Sequence, residues 1–396
     1  MAERFDVVVV GAGASGLVCA EEAGKRNRRV LVLDHNKGPG RKILMSGGGR
    51  CNFTNRQVTS EQFISGNPHF CKSALSRYSA QTFVDRIRSA GIAFEERDFG
   101  RLFCKGKASQ ILDLLWNGCR RVGVGFGFHS EDIRVKAHPG GEGGFLIQTR
   151  DRRLEAGSLV IATGGASIPA AGASSWGYDL ARQFGLKVVS PRPGLVPFTL
   201  NPKDKALLKP LAGIAVNARV ACNKSAFTEN LLFTHRGLSG PAILQASSHW
   251  LPGQSVSIDL LPDQNLAQLF ETARKKHPKK QLKSIVMGFL PKRLVQVRLA
   301  GNLGGVPVGA ASKKQLAAAA DAFHHWQLVP GGTEGYRTAE VTVGGVDCNG
   351  ISSKTMEARR VPGLYFVGEV LDVTGWLGGY NLQWAWSSGW CAGQYA

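Results

Sequence analysis

Residues 5–34 read FDVVVVGAGASGLVCAEEAGKRNRRVLVLD. The run Val7–Val10 is continuous and apolar, the pattern of a strand buried on both faces of a parallel sheet. The chain then turns at Gly11-Ala12-Gly13-Ala14-Ser15-Gly16 and enters a helix. Gly11 suits the tight turn, Gly13 the close approach of backbone to a pyrophosphate, and Gly16 the packing of helix against strand. The free N–H groups at the start of that helix, with its positive dipole end, favour a diphosphate. A second strand, Val30–Leu33, ends in Asp34, about 20 residues past the glycines, where an acid accepts hydrogen bonds from a ribose. Two strands, a helix and the acid around one GxGxxG predict a dinucleotide-binding domain.

The remainder of the chain is compatible with that domain and adds to it. The 396 residues are enough for two or three domains, with 43% hydrophobic and 20% charged residues and no long low-complexity tract. The first apolar run is too short for a signal peptide or a membrane span, and no other approaches about 18 residues, so a soluble, cytoplasmic protein without membrane contact is expected. Eight cysteines (Cys19, Cys51, Cys71, Cys104, Cys119, Cys222, Cys348, Cys391) include no CxxC pair. Neither a metal site nor a disulfide framework is expected, and most of these thiols read as buried apolar residues. A formal charge of +20 is unusual for an enzyme of small metabolites and points to a polyanion, RNA foremost.

Along the chain, GPGRKILMSGGGRCNFTN (38–55) is a glycine-dense loop with Arg41, Lys42 and Arg50, suited to a phosphate-bearing or planar ligand. Residues 62–91 carry a helical pattern in which Phe63, Phe70, Leu75, Phe83, Val84 and Ile87 pack inward. FEERDFGRLFCKGK (94–107) reads as two strands turning at Gly100, with a helix from Ser109. Residues 122–149 read as short strands with a hairpin tip at 140–144, and LVIATGG (159–165) as another buried strand. Pro191-Arg192-Pro193 marks a passage between domains. Strands at Ile214–Cys222 and Val256–Leu260 suggest a small β-barrel or sandwich enclosing NLLFTHRGLSGP (230–241). Residues 266–326 are helical and basic, with Arg274, Lys275, Lys276, Lys279, Lys280, Lys283, Lys292, Arg293, Arg298, Lys313 and Lys314. YRTAEVTVGG (336–345) and LYFVG (364–368) lead back to the first domain. Gly378–Trp390 is a glycine turn into a closing helix, whose Trp384, Trp386 and Trp390 read as core.

These motifs, together with GTEGYRTAEVTVGGV and GLYFVGEVLDVTGWLGGYNLQWAW, resemble the flavoprotein family known as BaiN/RdsA, or YhiN-type, over nearly the whole chain. The resemblance implies an α/β fold: a Rossmann-like FAD-binding domain of the two-dinucleotide-binding flavoprotein type, interrupted by a small β-barrel and a helical lid. The expected domains are 1–191 with 335–396, 192–262 with 327–334, and a basic helical one at 263–326. It further implies FAD contacts at Gly11, Gly13, Ala14, Ser15, Gly16, Asp34, Arg41, Lys42, Ser46, Gly47, Gly48, Gly49, Asn52, Thr163, Gly164, Gly368, Glu369, Asp372, Gly378, Gly379, Tyr380, Asn381 and Leu382. Asp34 stands where a glutamate is commoner in FAD enzymes. No second GxGxxG with a ribose-binding acid is present, so NAD(P)H, if used, binds transiently.

One branch of the family is tied to bile-acid or other small-molecule oxidoreduction, another to reduction of a uridine in large-subunit (23S) ribosomal RNA. This sequence looks closer to the second through GRLFCKGKASQ and GWLGGYNLQWAW, and its charge favours the same branch. The implied partner is ribosomal RNA or a ribosome assembly particle. A hydride would reach C6 of the uracil and a proton C5. Cys104, then Cys51, are the candidate proton donors, with His235 and Arg236 as orienters. The alternatives are an FAD-dependent oxidase or dehydrogenase of an amino-ketone or steroid-like metabolite, and an RNA-binding protein whose flavin is only structural.

Overall fold

In a computed structural model, residues 2–138 and 144–396 are described. They form two compact units, Met1–Arg192 with Val341–Ala396, and Pro193–Glu340. In the first, the chain runs β1 (Glu3–Val10), α1 (Ala14–Lys25), β2 (Val30–Leu33), α2 (Arg41–Gly49), β3 (Asn52–Asn55), α3 (Ala80–Ser89), β4 (Phe94–Arg97), β5 (Arg101–Cys104), α4 (Ser109–Arg121), β6 (Gly125–Gly127), β7 (Arg134–Ala137), β8 (Phe145–Gln148) and β9 (Arg153–Ile161). It returns in β10 (Leu364–Phe366) and α5 (Tyr380–Gly393).

β1 lies inside a parallel array in the order β6-β2-β1-β9, with β10 parallel to the last residues of β9. The β7–β8 hairpin runs antiparallel along the start of β9. The glycine tip expected at 140–144 lies, but for Gly144, outside the described residues. Val7–Val10 are buried, as a strand covered on both faces requires. Each such side chain stabilises the fold by roughly 1.5–3 kcal/mol relative to exposure. The register puts Val10 opposite both Leu33 and Ile161, and Ile161 opposite Phe366. Four parallel strands therefore end in one row, and the connection out of each begins with the motifs singled out in the sequence.

One face is covered by α1, α4 and α5 in close contact. A Cβ on Gly389 of α5 would come within 2.4 Å of the Ser15 carbonyl oxygen, and Cys119 Sγ on α4 lies 3.2 Å from the Leu17 carbonyl. Glu21, buried on α1, is ion-paired with Arg86 of α3 and, at 3.2 Å, with Lys25, as a buried carboxylate must be. Trp384 and Trp386 are core residues of α5.

The helical pattern at 62–91 is not one helix. A two-residue strand (Phe63–Ile64) is followed by helices Lys72–Arg77 and Ala80–Ser89. Ser79 breaks the run by capping the second helix, its Oγ accepting the Thr82 N–H. The six expected packing residues are nonetheless all buried.

The second unit carries a seven-stranded antiparallel sheet, with strands in the order 326–328, 256–259, 215–222, 225–233, 237–239, 198–199, 332–333. Helices Leu266–Lys276, Leu282–Val286, Lys292–Arg298 and Lys313–His324 fill the chain between two of these strands. Lys275, Lys276, Lys279, Lys280, Lys292, Lys313 and Lys314 are exposed, while Leu266, Phe270, Leu282, Leu294 and Leu316 form the buried side. Among the described residues no helix is long and apolar enough to cross a membrane.

Candidate functional site

The row of strand ends is where an open parallel sheet binds ligands. Its centre is the meeting of Gly11 with the end of β9. Gly11 N–H donates to the Leu33 carbonyl (2.8 Å) and Ala162 N–H to the Val10 carbonyl (2.8 Å). At φ +113 Gly11 is in a conformation that side chains avoid, and a Cβ there would lie 2.3 Å from the Ala162 carbonyl oxygen. Gly16 is equally confined, 1.9 Å from the Gly11 carbonyl oxygen by the same measure. Gly13 differs: it is the N-cap of α1, has no side-chain cap, and a Cβ would meet nothing within 4 Å. Two glycines thus close strand and helix together, and the one between them leaves backbone amides bare at a helix N-terminus. That is the division of labour a diphosphate cradle requires.

On one side of the cradle, Asp34 at the end of β2 accepts the Ala12 N–H at Oδ2 (2.7 Å) and the Asn36 N–H (2.8 Å) and amide (3.0 Å) at Oδ1. Arg41 Nη1 donates to Asn36 Oδ1 (2.7 Å). With three donors on a carboxylate of about four lone-pair sites, one acceptor position is left for a hydroxyl.

On the other side, Glu369 follows β10. Its Oε2 accepts from Lys42 Nζ (2.9 Å), and its Oε1 from Ser167 Oγ (3.0 Å) and the Thr342 N–H (2.9 Å). Burial alone would raise its pKa, but the Lys42 ammonium and these donors outweigh it and hold the carboxyl below the usual glutamate value. Lys42 Nζ also donates to Ser167 Oγ (2.8 Å). The turn carrying Glu369 is pinned from α5, where Trp384 Nε1 donates to the Gly368 carbonyl (3.0 Å) and Ser388 Oγ accepts the Gly368 N–H (3.0 Å). Ser15 packs against Gly368 rather than into open space. Thr163 turns its hydroxyl toward Gly177, without a hydrogen-bond partner there.

A second group surrounds α2 and the start of α5. The helical path of α2 stops at Met45, and Gly47, Gly48 and Gly49 are all left-handed, at φ +56, +65 and +83. Gly47 lies under the Phe103 ring, whereas Cβ atoms on Gly48 and Gly49 would meet nothing. This exposed backbone offers a flat, side-chain-free approach for a planar group. Gly378 and Gly379 pack against β3 and β5. A Cβ on Gly379 would lie 2.4 Å from the Thr54 carbonyl oxygen, and one on Gly378 would lie 3.1 Å from Arg101 Nε. Asn52, with its oxygen toward α5, accepts the Gly379 N–H (3.1 Å) and donates to the Thr54 carbonyl (3.0 Å). Asn381 clasps Gly375 through both its amide groups (2.8 Å each). Tyr380 is buried against Phe63, and Leu382 is half-buried. Gly379 caps α5 without a side-chain hydrogen bond, so the 14-residue helix presents its N-terminus uncapped by a side chain.

Other expected residues sit elsewhere. Asp372 is buried on the Gly66 N–H (2.8 Å), and burial pushes its carboxyl up. Cys51 and Cys104 are neighbours, the Cys104 N–H pointing at the Cys51 carbonyl (3.4 Å), and both are fully buried. Burial pushes the Cys104 thiol to about 11 and the Cys51 thiol to about 12. Along β5, Leu102 and Cys104 face the core, while Arg101 and Phe103 point the other way, toward the glycine segments. His235 is exposed in the turn between strands 225–233 and 237–239 of the second unit, beside Arg236, which pairs with Glu334 (3.3 Å). All eight cysteines are buried. Sequence reading missed Ser167 and Thr342, which complete the Glu369 site, and Asn55 and Arg101 beside Gly378. Thr342, Asn55 and Arg101 belong to the motif stretches 336–345, 38–55 and 94–107, but only the folded chain brings them to these partners.

The HI0933-like protein Rossmann domain matches residues 5–395. The chain is 51% identical to the ribosomal RNA dihydrouridine synthase of Escherichia coli, covering 99% of this chain and 98% of that one. It is 47% identical to the protein of the same name from Haemophilus influenzae, over 98% and 97%. It is 30% identical to the 3-dehydro-bile acid delta(4,6)-reductase of Clostridium scindens, over 98% of each. The kinship read from the motifs and the Rossmann-like α/β fold class are thereby established, and the chain belongs to the HI0933-like Rossmann family.

Proposed function

We propose that this protein reduces a uridine of large-subunit (23S) ribosomal RNA to dihydrouridine. It is an FAD-dependent oxidoreductase: the bare cradle at Gly13, the acid at Asp34, the uncovered backbone of Gly48–Gly49 and the N-terminus of α5, which no side chain caps, suit the diphosphate, ribose and ring of that cofactor. Bound there and reduced by NAD(P)H, it would supply a hydride to C6 of the uracil, and a proton added at C5 completes the saturation of the C5–C6 bond. The remaining work falls to this chain's residues. Gly13 and the start of α1 hold the diphosphate. Asp34 orients a ribose hydroxyl. The Lys42–Glu369–Ser167 network fixes the loop of α2 against the end of β10. The first N–H groups of α5 favour negative charge placed before them.

The observation that carries this reading is near-full-length identity of about one half to relatives named for that reaction. The charge of +20 and the exposed lysines of the second unit support an RNA substrate, naked or in an assembly particle, through phosphate neutralisation. The more distant bile-acid reductase supports a second reading, reduction of a steroid-like enone, but such a substrate gives the basic surface no role. A proton donor must reach the reacting carbon. Cys51 and Cys104 are fully buried, which favours water or a solvent-open group as the source of the proton.

An anaerobic assay tests the proposal. The flavin-loaded protein is reduced, ribosomal RNA lacking its modifications is added, and the oxidised flavin spectrum and dihydrouridine are followed together. Reoxidation with one dihydrouridine per flavin is expected. Reoxidation by an enone steroid and not by RNA would transfer the protein to the second reading.

A further inference from the structure

We propose that Phe99, with Arg101 beside it, is a stacking platform for a base of the RNA substrate at the rim of the flavin site; this rests on the RNA reading above. Phe99 occupies the tip of the β4–β5 hairpin and is 62% exposed, the most exposed large apolar side chain among the described residues. Its backbone is left-handed, at φ 62 and ψ 26. A bulky side chain adopts that state at a cost, whereas glycine, asparagine or aspartate takes it readily. The fold therefore keeps an aromatic ring where both solvent exposure and backbone geometry disfavour it. Such a combination points to a contact made outside the chain.

The surroundings specify the contact. The Arg101 guanidinium carbon lies over the Phe99 ring, 5.1 Å from its centroid, so the cation covers one face of a ring that is otherwise largely exposed. One amide fixes this pair to the glycine turn before α5: Asn55 Nδ2 donates both to the Phe99 carbonyl (3.0 Å) and to the Gly378 carbonyl (3.1 Å). Asn55 is itself buried, and the Arg56 N–H donates to the Gly100 carbonyl (2.8 Å), so the tip is held from both sides. An aromatic face beside a guanidinium takes the π-face of any base and a nearby phosphate, without reading sequence. A uridine taken out of its stack to reach the reaction centre needs such a surface for itself or its neighbour.

The test uses the full-length, flavin-loaded protein with Phe99→Ala, Phe99→Gly and Phe99→Trp. Two readouts are taken: anisotropy of a labelled single-stranded oligouridylate, and flavin reoxidation by unmodified ribosomal RNA. Ala and Gly are expected to lose roughly 5- to 150-fold in oligonucleotide affinity and in kcat/KM, and Trp to retain both. The flavin spectrum and its reduction by dithionite stay unchanged, and Phe99→Gly keeps Tm at or above that of the parent because glycine accepts the backbone state. Unchanged binding in Phe99→Ala, a Trp variant as defective as Ala, or a lowered Tm in Phe99→Gly would each overturn the platform. If the parent protein itself fails to reoxidise with RNA, the functional reading falls, and the anisotropy series then decides the platform alone.

Discussion

Lys42 Nζ lies 2.9 Å from Glu369 Oε2, an ion pair across 327 positions of sequence that ties the helix before the glycine run to the turn after β10. Both side chains are mostly shielded, so removing one leaves the other's charge poorly compensated. Lys42→Met and Glu369→Gln are each expected to lower stability by about 1–3 kcal/mol and to weaken flavin retention. The double variant should lose less than the sum, which urea unfolding of all four proteins measures. Strict additivity would mean that the pair contributes no coupling.

The two acids near the end of β10 make opposite predictions for pH. Glu369 is held below its ordinary value, so its stabilisation is present above the ordinary carboxylate range of about 4 and fades as pH falls through the lowered folded value. Asp372 is pushed up by burial, so its favourable state is the protonated one, and stability is lost as pH rises through the raised folded value. Relative to the parent, Glu369→Gln should therefore be less stable at pH 7 and converge with it in acid. Asp372→Asn, which keeps an oxygen for the Gly66 N–H, should be more stable at pH 7 and converge likewise. Denaturant midpoints from pH 3 to 8 decide it; deviations of the same sign for both variants would refute the assignment.

The glycines of the first turn separate folding from binding. Gly11→Ala forces a Cβ against the Ala162 carbonyl at a positive φ, and several kcal/mol of destabilisation are expected in the flavin-free protein. Gly13→Ala meets open space at a helix N-cap, where the change costs only a few tenths to about 1 kcal/mol. The Gly13 variant should keep its apoprotein Tm within a few degrees yet lose flavin on gel filtration. Flavin retention in Gly13→Ala equal to the parent's would show that no ligand approaches this backbone.

How far the sequence carried these conclusions depended on the range of the interaction. The β1–α1–β2 unit is local, and fixed offsets of glycine and acid reveal both its geometry and its ligand. The Lys42–Glu369–Ser167 network joins three distant segments, and nothing in their local patterns announces the meeting. The break in 62–91 had a local signal, Asn67-Pro68 before the capping Ser79, which the apolar spacing concealed. In Arg101-Leu102-Phe103-Cys104 the apolar Phe103 spoils the alternation that would have told which face Cys104 occupies. Phe103 is half-buried because Gly47 makes room for it, a fact that only the folded chain supplies.

The buried thiols give a direct kinetic prediction. Cys104→Ala and Cys51→Ala each remove a small apolar group, at a stability loss of about 1 kcal/mol. Single-turnover reoxidation by RNA should stay within threefold of the parent once flavin content is equalised. A donor that protonates C5 would contribute about 100-fold or more, so a loss of that size in either variant would restore the thiol to the reaction.

The exposed lysines of the second unit are expected to set the ionic-strength dependence of RNA binding. Lys275, Lys276, Lys279 and Lys280 lie at and beyond the end of helix Leu266–Lys276, and the Val308 and Gly309 N–H groups bind the Lys280 and Pro278 carbonyls (2.8 Å each). A fixed turn carrying four ammonium groups is suited to backbone phosphates rather than to base edges. If all four meet phosphates of a single strand, the slope of log K against log salt should become shallower by about 3 in the fourfold Lys→Gln variant, since each contact contributes about 0.7. Affinity at low salt should fall by a similar factor for every RNA sequence tried. A slope equal to the parent's would remove this turn from the RNA-binding surface, while a loss confined to one RNA sequence would turn a phosphate contact into base readout.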